Sequence, residues 1–259
     1  MEGLTLSVFD LTGKNAFVTG ASRGIGRVIA VALAEAGADV ALVARSADGL
    51  AETASAITSG GRKAFVIPAD VTVQAAVDSA AAAAIDLLGH VDVVVNNAGG
   101  SSFMATFREL RLPGWEKVLR LNLDSAAYVC HAFADHLLDR GQGTVINVAS
   151  VAGVVSSPFL APYGAAKAGL ISLTKTLAVE WGRHGVRVNA LCPGWTATDL
   201  NRSLWEDPAA GPATVATVPM GRWGRPEEMA GPAVFLASDA SSYMTGQVLI
   251  VDGGQAVSP

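Results

Sequence analysis

Short runs of aliphatic and β-branched residues alternate with stretches of helical length along the whole chain, and this alternation constrains the fold more than any other feature. The runs occupy 15–19, 40–44, 64–68, 91–95, 144–148, 186–191 and 248–251, with helical segments such as 25–36 and 161–183 between them. Repeated strand, helix, strand units close through right-handed crossovers into a doubly wound parallel sheet with helices on both faces. The expectation is one α/β domain over 1–259 with a seven-stranded parallel sheet. Composition agrees, since 51% hydrophobic residues and only 16% charged ones suit a sheet buried on both faces. No linker, repeat or low-complexity tract divides the chain. One long irregular stretch, about 196–225, carries Pro208, Pro212 and Pro219 among Gly and Trp residues. It is expected to be a substrate lid, because long loops in compact domains are commonly functional.

A formal charge of −5 and the lack of any basic block argue against a nucleic-acid or anionic-membrane partner. The Ala-rich segment 74–88 is interrupted by Asp78 and Asp86 and is too short to span a bilayer, so it reads as an amphipathic helix. The start, MEGLTLSVFDLTGK, lacks the basic residues and long apolar run of a signal peptide. Cys130 and Cys192 lie far apart in apolar stretches, which suggests neither a disulfide framework nor a metal cluster and fits a reducing cytoplasm. His90, His131, His136 and His184 share no ligand spacing, so no metal is expected, and His131 and His136 read as surface residues.

Directly after the first run comes Thr19-Gly20-Ala21-Ser22-Arg23-Gly24-Ile25-Gly26, leading into an apolar helix. The spacing is not GxGxxG, but the strand-turn-helix context of a dinucleotide site is the same. Gly20 allows the tight turn, Gly24 and Gly26 let the backbone approach a pyrophosphate, and the helix N-terminus supplies amides and a positive dipole. Further along, Tyr163 and Lys167 stand four apart and share a helix face. A neighbouring ammonium favours the phenolate and brings the phenol's pKa of about 10 down, so the pair can shuttle protons.

In order and context these residues resemble the short-chain dehydrogenase/reductase family over nearly the whole chain. Its TGxxxGxG motif is met at Thr19, Gly20, Gly24 and Gly26, and its NNAG motif at Asn96-Asn97-Ala98-Gly99. Asn122 lies in the helix that follows, Ser150 after the fifth run, and Tyr163 and Lys167 complete YxxxK. Pro193-Gly194 with Thr198 matches PGxxxT, and Val251-Asp252-Gly253-Gly254 resembles the family's usual ending. The resemblance implies a Rossmann fold and a catalytic set of Asn122, Ser150, Tyr163 and Lys167. It implies that Asn96 braces the sheet while Asn97, Ala98 and Gly99 contact the cofactor, that Lys167 bonds the nicotinamide ribose, and that Asn122 joins a water-linked relay behind Lys167. It also implies a homotetramer built on the helices near 119–137 and 161–183 and the final strand. Read residue by residue, Asn96 and Asn97 are also turn formers, Ser150 a helix cap, Asp252 a turn residue, and Asn122 a side chain that repairs a local backbone bond.

An NAD site usually ends its second strand with a carboxylate that binds the adenosine ribose; here that position is Ala44. Arg45 beside it and Arg23 in the glycine loop could clamp a 2′-phosphate, so NADP(H) is favoured over NAD(H), with Ser46 next to the phosphate and Asp48 as the alternative ribose acceptor. Asp70-Val71 resembles the family's adenine contact, and Asp70 could equally cap the following helix.

Ser150 ends a strand and Tyr163 begins a helix, so both can meet at the carboxyl edge of the sheet. In ketone reduction Ser150 would hold the carbonyl oxygen and Tyr163 would deliver its proton. Pro193-Gly194-Trp195 would leave the sixth strand beside the nicotinamide, with Thr198 bonding its carboxamide or a phosphate. Phe103, Val154, Phe159, Trp195, Leu200, Leu204 and Trp205 suggest a substrate with hydrocarbon or ring surface, or belong to the core. Arg202 is the candidate for meeting a substrate carboxylate. The expected function is NADPH-dependent reduction of a 3-oxoacyl thioester or similar ketone. The alternatives are NAD(P)-dependent oxidation of a secondary alcohol or sugar acid, as in gluconate 5-dehydrogenase-like members with FDLTGK-like and GRWGRPEE-like stretches, and a silent NADP-binding protein. A nucleotide-sugar epimerase is disfavoured, because such proteins usually carry a larger C-terminal substrate domain.

Overall fold

The structure is a computed structural model that describes residues 6–258. Residues 1–5, which begin the stretch read as lacking a signal peptide, and residue 259 lie outside the described residues. The strands are β1 (Asn15–Thr19), β2 (Asp39–Ala44), β3 (Ala64–Pro68), β4 (Val93–Asn96), β5 (Gly143–Val148), β6 (Val186–Pro193) and β7 (Val248–Val251). They form one seven-stranded sheet in the order β3-β2-β1-β4-β5-β6-β7, and every pairing is parallel. β1 and β4 are buried throughout and the other central strands nearly so, whereas edge strand β3 is partly open. That difference is why the central runs read as unbroken apolar segments.

The helices are α1 (Gly24–Glu35), α2 (Ala47–Ser59), α3 (Gln74–Leu88), α4 (Leu112–Leu119), α5 (Ser125–Arg140), α6 (Ala161–Trp181), α7 (Arg202–Trp205), α8 (Ala210–Val215) and α9 (Ala230–Ala237). On one face of the sheet, Ile29 and Leu33 of α1 pack with Leu42, Met229 and Leu236. On the other, Phe17 meets Phe133 of α5 edge-on at 4.8 Å, beside Leu137 and Trp181. Burying each such side chain contributes about 1.5–3 kcal/mol relative to leaving it exposed. The strand order reverses between β1 and β4, which opens a crevice at their carboxyl ends where α/β ligands bind.

Two expectations need correction. Stretch 196–225 is not irregular: it holds α7 and α8, and a parallel bridge from Thr196 to Gly224 closes its base. An Asp-centred turn leads into α8, with Asp207 Oδ1 accepting from the Ala209 and Ala210 N–H groups at 2.9 and 2.7 Å. Pro212 falls in the first turn of α8, where its missing N–H costs nothing. His136, read as a surface residue, is half-buried at the amino edge of the sheet and accepts from the Val91 N–H at 3.0 Å. Nearby, the buried Asp92 accepts from the Asn15 N–H at 3.0 Å and pairs with Arg140 at 2.9 Å.

Burial, followed by the charge of Arg140, holds the His136 imidazole below its ordinary pKa. The folded chain therefore favours neutral His136, so its contribution to stability is full above the unfolded value of about 6.5 and is lost as pH falls below it. Thermal melts from pH 8 to 5 will show a fall in stability at the acid end that His136→Gln reduces; an unchanged profile in that variant would remove His136 as its source.

Candidate active site

A cavity of about 1200 Å³ runs along the carboxyl edge of the sheet and is lined from the glycine loop to Tyr163 and the segment after β6. At its nucleotide end, Gly20 and Gly24 have φ of +66° and +55°, the left-handed region that glycine adopts without penalty. A Cβ on Gly24 would face only the Thr198 side chain, at 3.7 Å, so the loop backbone fronts open space there. Gly26 behaves differently. A Cβ on it would collide with the Gly20 carbonyl and the Asn97 amide, so this glycine, which also lines the cavity, is required by internal packing.

The turn after β4 locks that loop in place. Thr19 Oγ1 accepts from the Asn97 and Ala98 N–H groups at 3.0 and 3.1 Å, and Asn97 Nδ2 donates to the Thr19 carbonyl at 3.0 Å. Asn96 braces the sheet through Asn147, with Nδ2 donating to Oδ1 at 2.9 Å. Ser22, Arg23, Ile25, Arg45, Ser46, Asp70 and Val71 all line the cavity. Ser46 also caps α2 by accepting from the Gly49 N–H at 3.2 Å. Asp70 accepts from the Thr72 N–H and hydroxyl, both on Oδ1, and the backbone bond is the main reason its carboxyl sits below the usual range. Arg23 and Arg45 are exposed and form no ion pair among the described residues. Two uncommitted guanidiniums beside a glycine turn suit a phosphate-bearing nucleotide.

At the reacting end, Ser150 follows β5, Tyr163 sits in the first turn of α6, and Lys167 lies one turn on. Ser150 Oγ caps the turn Val151–Gly153 by accepting from the Ala152 N–H at 3.2 Å, and it lines the cavity as well. Lys167 is 3% exposed, donates from Nζ to the Val148 carbonyl at 2.8 Å, and stands 5.6 Å from the centre of the Tyr163 ring. Burial pulls the lysine down to about 8. Burial also raises the Tyr163 phenol above its ordinary value, with a hydrogen bond from Ser150 pulling the other way and Cys192 adding to the rise. The sequence expectation that Lys167 brings the phenol down is thus reversed, because desolvation is the largest influence on the phenol and raises it.

Asn122 occupies a π-helical turn, Arg120–Asp124, between α4 and α5, a distortion common at functional sites. Its Oδ1 accepts from the Gly100 N–H at 2.7 Å, and its Nδ2 donates to the Gly100 and Val118 carbonyls, both at 2.9 Å. These bonds match the local-repair reading. Gly99 spaces Asn122 from Lys167, since a Cβ there would lie 2.7 Å from Asn122 Oδ1 and 3.1 Å from Lys167 Nζ.

Beyond β6, Pro193, Gly194, Trp195 and Thr198 line the cavity. Gly194 packs on Asp252, which is a turn residue that accepts from the Gly254 and Ala256 N–H groups at 2.8 and 2.6 Å. Trp195 packs edge-on against Trp223 at 5.4 Å, and the Thr198 hydroxyl bonds Asn201 Oδ1 at 3.0 Å. Of the apolar candidates, Phe103, Trp195, Leu200 and Leu204 line the cavity, whereas Val154, Phe159 and Trp205 do not. Trp205 instead donates from Nε1 to the Thr198 carbonyl at 2.9 Å. Arg202 also lies outside the lining and is bonded to Asp199.

Sequence reasoning missed Gln255, which returns past the end of β7 to accept the Trp195 N–H on Oε1 at 3.3 Å. The available signal was Gly253-Gly254, whose φ values of +65° and +92° reverse the chain toward the cavity. No cluster of His, Cys, Asp and Glu able to hold a metal occurs among the described residues, and no helix there is long and apolar enough to cross a membrane.

A family model described as enoyl-(acyl carrier protein) reductase matches residues 20–256. Gluconate 5-dehydrogenase of Gluconobacter oxydans is 41% identical over 251 residues, covering 97% of this chain and 98% of the relative. The rhamnolipid-biosynthesis 3-oxoacyl-[acyl-carrier-protein] reductase of Pseudomonas aeruginosa is 42% identical over 252 residues, covering 95% and 97%. Among solved structures, a gluconate 5-dehydrogenase from Burkholderia cenocepacia in complex with NADP and tartrate superimposes with a TM-score of 0.93 at 38% identity, covering 98% of this chain and 99% of that one. With similarity of this extent over a seven-stranded Rossmann-like sheet, the chain belongs to the short-chain dehydrogenase/reductase family of oxidoreductases, whose members here act on CH–OH and C=O groups.

Proposed function

We propose that the protein is an NADP(H)-dependent oxidoreductase that reduces a ketone, such as a 3-oxoacyl thioester or a similar carbonyl, to a secondary alcohol. The observation that carries this reading is that Ser150, Tyr163 and Lys167 line the same cavity as the glycine loop and the two uncommitted arginines. When bound, the nicotinamide supplies the hydride. Ser150 donates to the substrate oxygen and holds it against Tyr163. The phenol, kept protonated through neutral pH by burial, passes its proton to that oxygen as negative charge grows there. Lys167 keeps a positive charge beneath the ring, and Asn122, on the other side of Gly99, belongs to the water-linked relay behind it. With the cofactor bound, Asp70 and Val71 would hold the adenine, Gly20, Ser22, Gly24, Ile25 and Gly26 the pyrophosphate, and Asn97, Ala98, Gly99, Pro193 to Trp195 and Thr198 the nicotinamide end. Segment 196–225 is the lid over the substrate.

The relatives named as dehydrogenases support a second reading, the same site run in reverse on a secondary alcohol. Assembly as a homotetramer belongs to the proposal, supported by the exposed apolar Val179 of α6 and Ile250 of β7. So does residence in the cytoplasm, supported by two free buried cysteines.

A panel of ketones and alcohols with each nicotinamide nucleotide, followed at the reduced-cofactor absorbance band, tests the activity, and no turnover of any carbonyl or alcohol would end the reading. Arg45→Asp tests the cofactor choice. It removes one phosphate partner and adds a carboxylate that repels the 2′-phosphate, so the NADPH over NADH ratio of kcat/KM falls by about tenfold or more. An unchanged ratio takes Arg45 out of the phosphate site.

A further inference from the structure

We infer that the substrate of this site is an uncharged carbonyl compound or alcohol and that the site refuses carboxylates. This rests on the carbonyl-reducing reading and narrows it. A carboxylate entering a cleft of this kind gives up water, and it stays only where a cation or a set of N–H donors replaces that water.

Among the described residues, the cations that line the cavity are Arg23, Arg27, Arg45 and Lys167. The first three stand on the glycine loop, on α1 and just after β2, all at the nucleotide end. Arg27 is already committed, pairing with Glu52 at 2.7 Å and donating to the Ser22 carbonyl at 2.7 Å. Lys167 lies beneath Tyr163 with its Nζ donating to the Val148 carbonyl. The lid offers no replacement. Arg202 bonds Asp199 and stands 3.9 Å from Glu206, while Arg222 and Arg225 turn to Glu228 at 2.7 and 3.9 Å. Of these lid charges, only the Asp199 carboxylate lines the cavity. An acid arriving from the lid side therefore meets the Asp199 carboxylate, and the Arg202 guanidinium beyond it is outside the lining and already bonded to that carboxylate.

The rest of that wall suits a neutral molecule. Phe103, Trp195, Leu200 and Leu204 offer apolar surface. Ser102, Ser156 and Ser203 line the cavity as well, and hydroxyls of this kind match substrate hydroxyl or carbonyl groups without charge. The inference sets this chain apart from relatives named for gluconate, despite identities near 41%.

Matched pairs that differ only in charge provide the test: levulinate against methyl levulinate, and benzoylpropionate against its methyl ester. Binding is read by tryptophan fluorescence on the protein loaded with NADP⁺, which cannot reduce a ketone, and turnover is read separately with NADPH. The expected result is that each ester binds at least about tenfold more tightly than its acid and is turned over with correspondingly higher kcat/KM. Leu200→Arg, which brings a guanidinium to the lid wall, will narrow the gap by improving acid binding. Acids that bind as well as their esters overturn the inference, whatever the turnover. Esters that bind tightly but are never reduced uphold the charge selection and instead defeat the carbonyl-reducing reading.

Discussion

Tyr163→Phe will lower kcat by about 10²–10⁴-fold, the range spanned by losing a positioned general acid, while NADPH binding stays close to that of the parent protein. The substitution removes one hydroxyl and leaves the ring. The ring is what stands over Lys167 at 5.6 Å, and the lysine is held independently by the Val148 carbonyl. Cofactor affinity, measured by enhancement of NADPH fluorescence, is thus insulated from the change. The pH profile adds a second reading of the same site. The phenol is raised by burial, so it remains a proton donor through neutral pH, whereas Lys167 sits at about 8. Reduction will hold steady below pH 8 and weaken above it as the lysine loses its charge, and oxidation of the alcohol will gain from the growing phenolate fraction as pH rises. Substantial turnover by the Tyr163→Phe protein would remove Tyr163 as the acid.

Gly26→Ala will be the most damaging of the glycine-loop changes. The added methyl would overlap the Gly20 carbonyl and the Asn97 amide, and both are pinned: Gly20 by the left-handed turn, and Asn97 by its bonds to Thr19 and to the loop carbonyls. Overpacking against backbone that cannot yield costs about 3 kcal/mol, at the top of the usual range. The distorted loop will also lose NADPH affinity by at least about tenfold. Gly24→Ala is the control. Its methyl meets nothing nearer than the Thr198 side chain at 3.7 Å, so it carries only the left-handed backbone penalty of about 1–2 kcal/mol. Equal denaturation midpoints for Gly26→Ala and the parent would show that the loop can relax, and the packing role assigned to Gly26 would fall.

Much of the site was legible because its parts are marked locally. Glycine after an apolar strand, tyrosine and lysine one helical turn apart, and proline-glycine at the end of β6 each carry a backbone or spacing rule that holds before the chain folds. The strands were readable for the same reason, down to β1, β3 and β7 with the bounds expected of them. The short helices within 196–225 were obscured by their prolines and by caps that act over only three residues. Val154, Phe159 and Trp205 could not be separated from Phe103 and Leu200, since apolar character says nothing of which cavity wall a side chain reaches.

The sequence by itself determined the order of strands and helices, the glycine loop and the Tyr163–Lys167 pairing, because these follow from periodicity and from allowed backbone angles. Only the tertiary structure decided the state of those groups. Packing turned Gly26 into a contact with Asn97, closed Arg202 onto Asp199, and brought Gln255 back to Trp195. It also buried Lys167 beside a half-buried Tyr163, so that desolvation raised one proton affinity and lowered the other. Solvent exclusion and long-range contact belong to the folded chain, and no spacing rule encodes them.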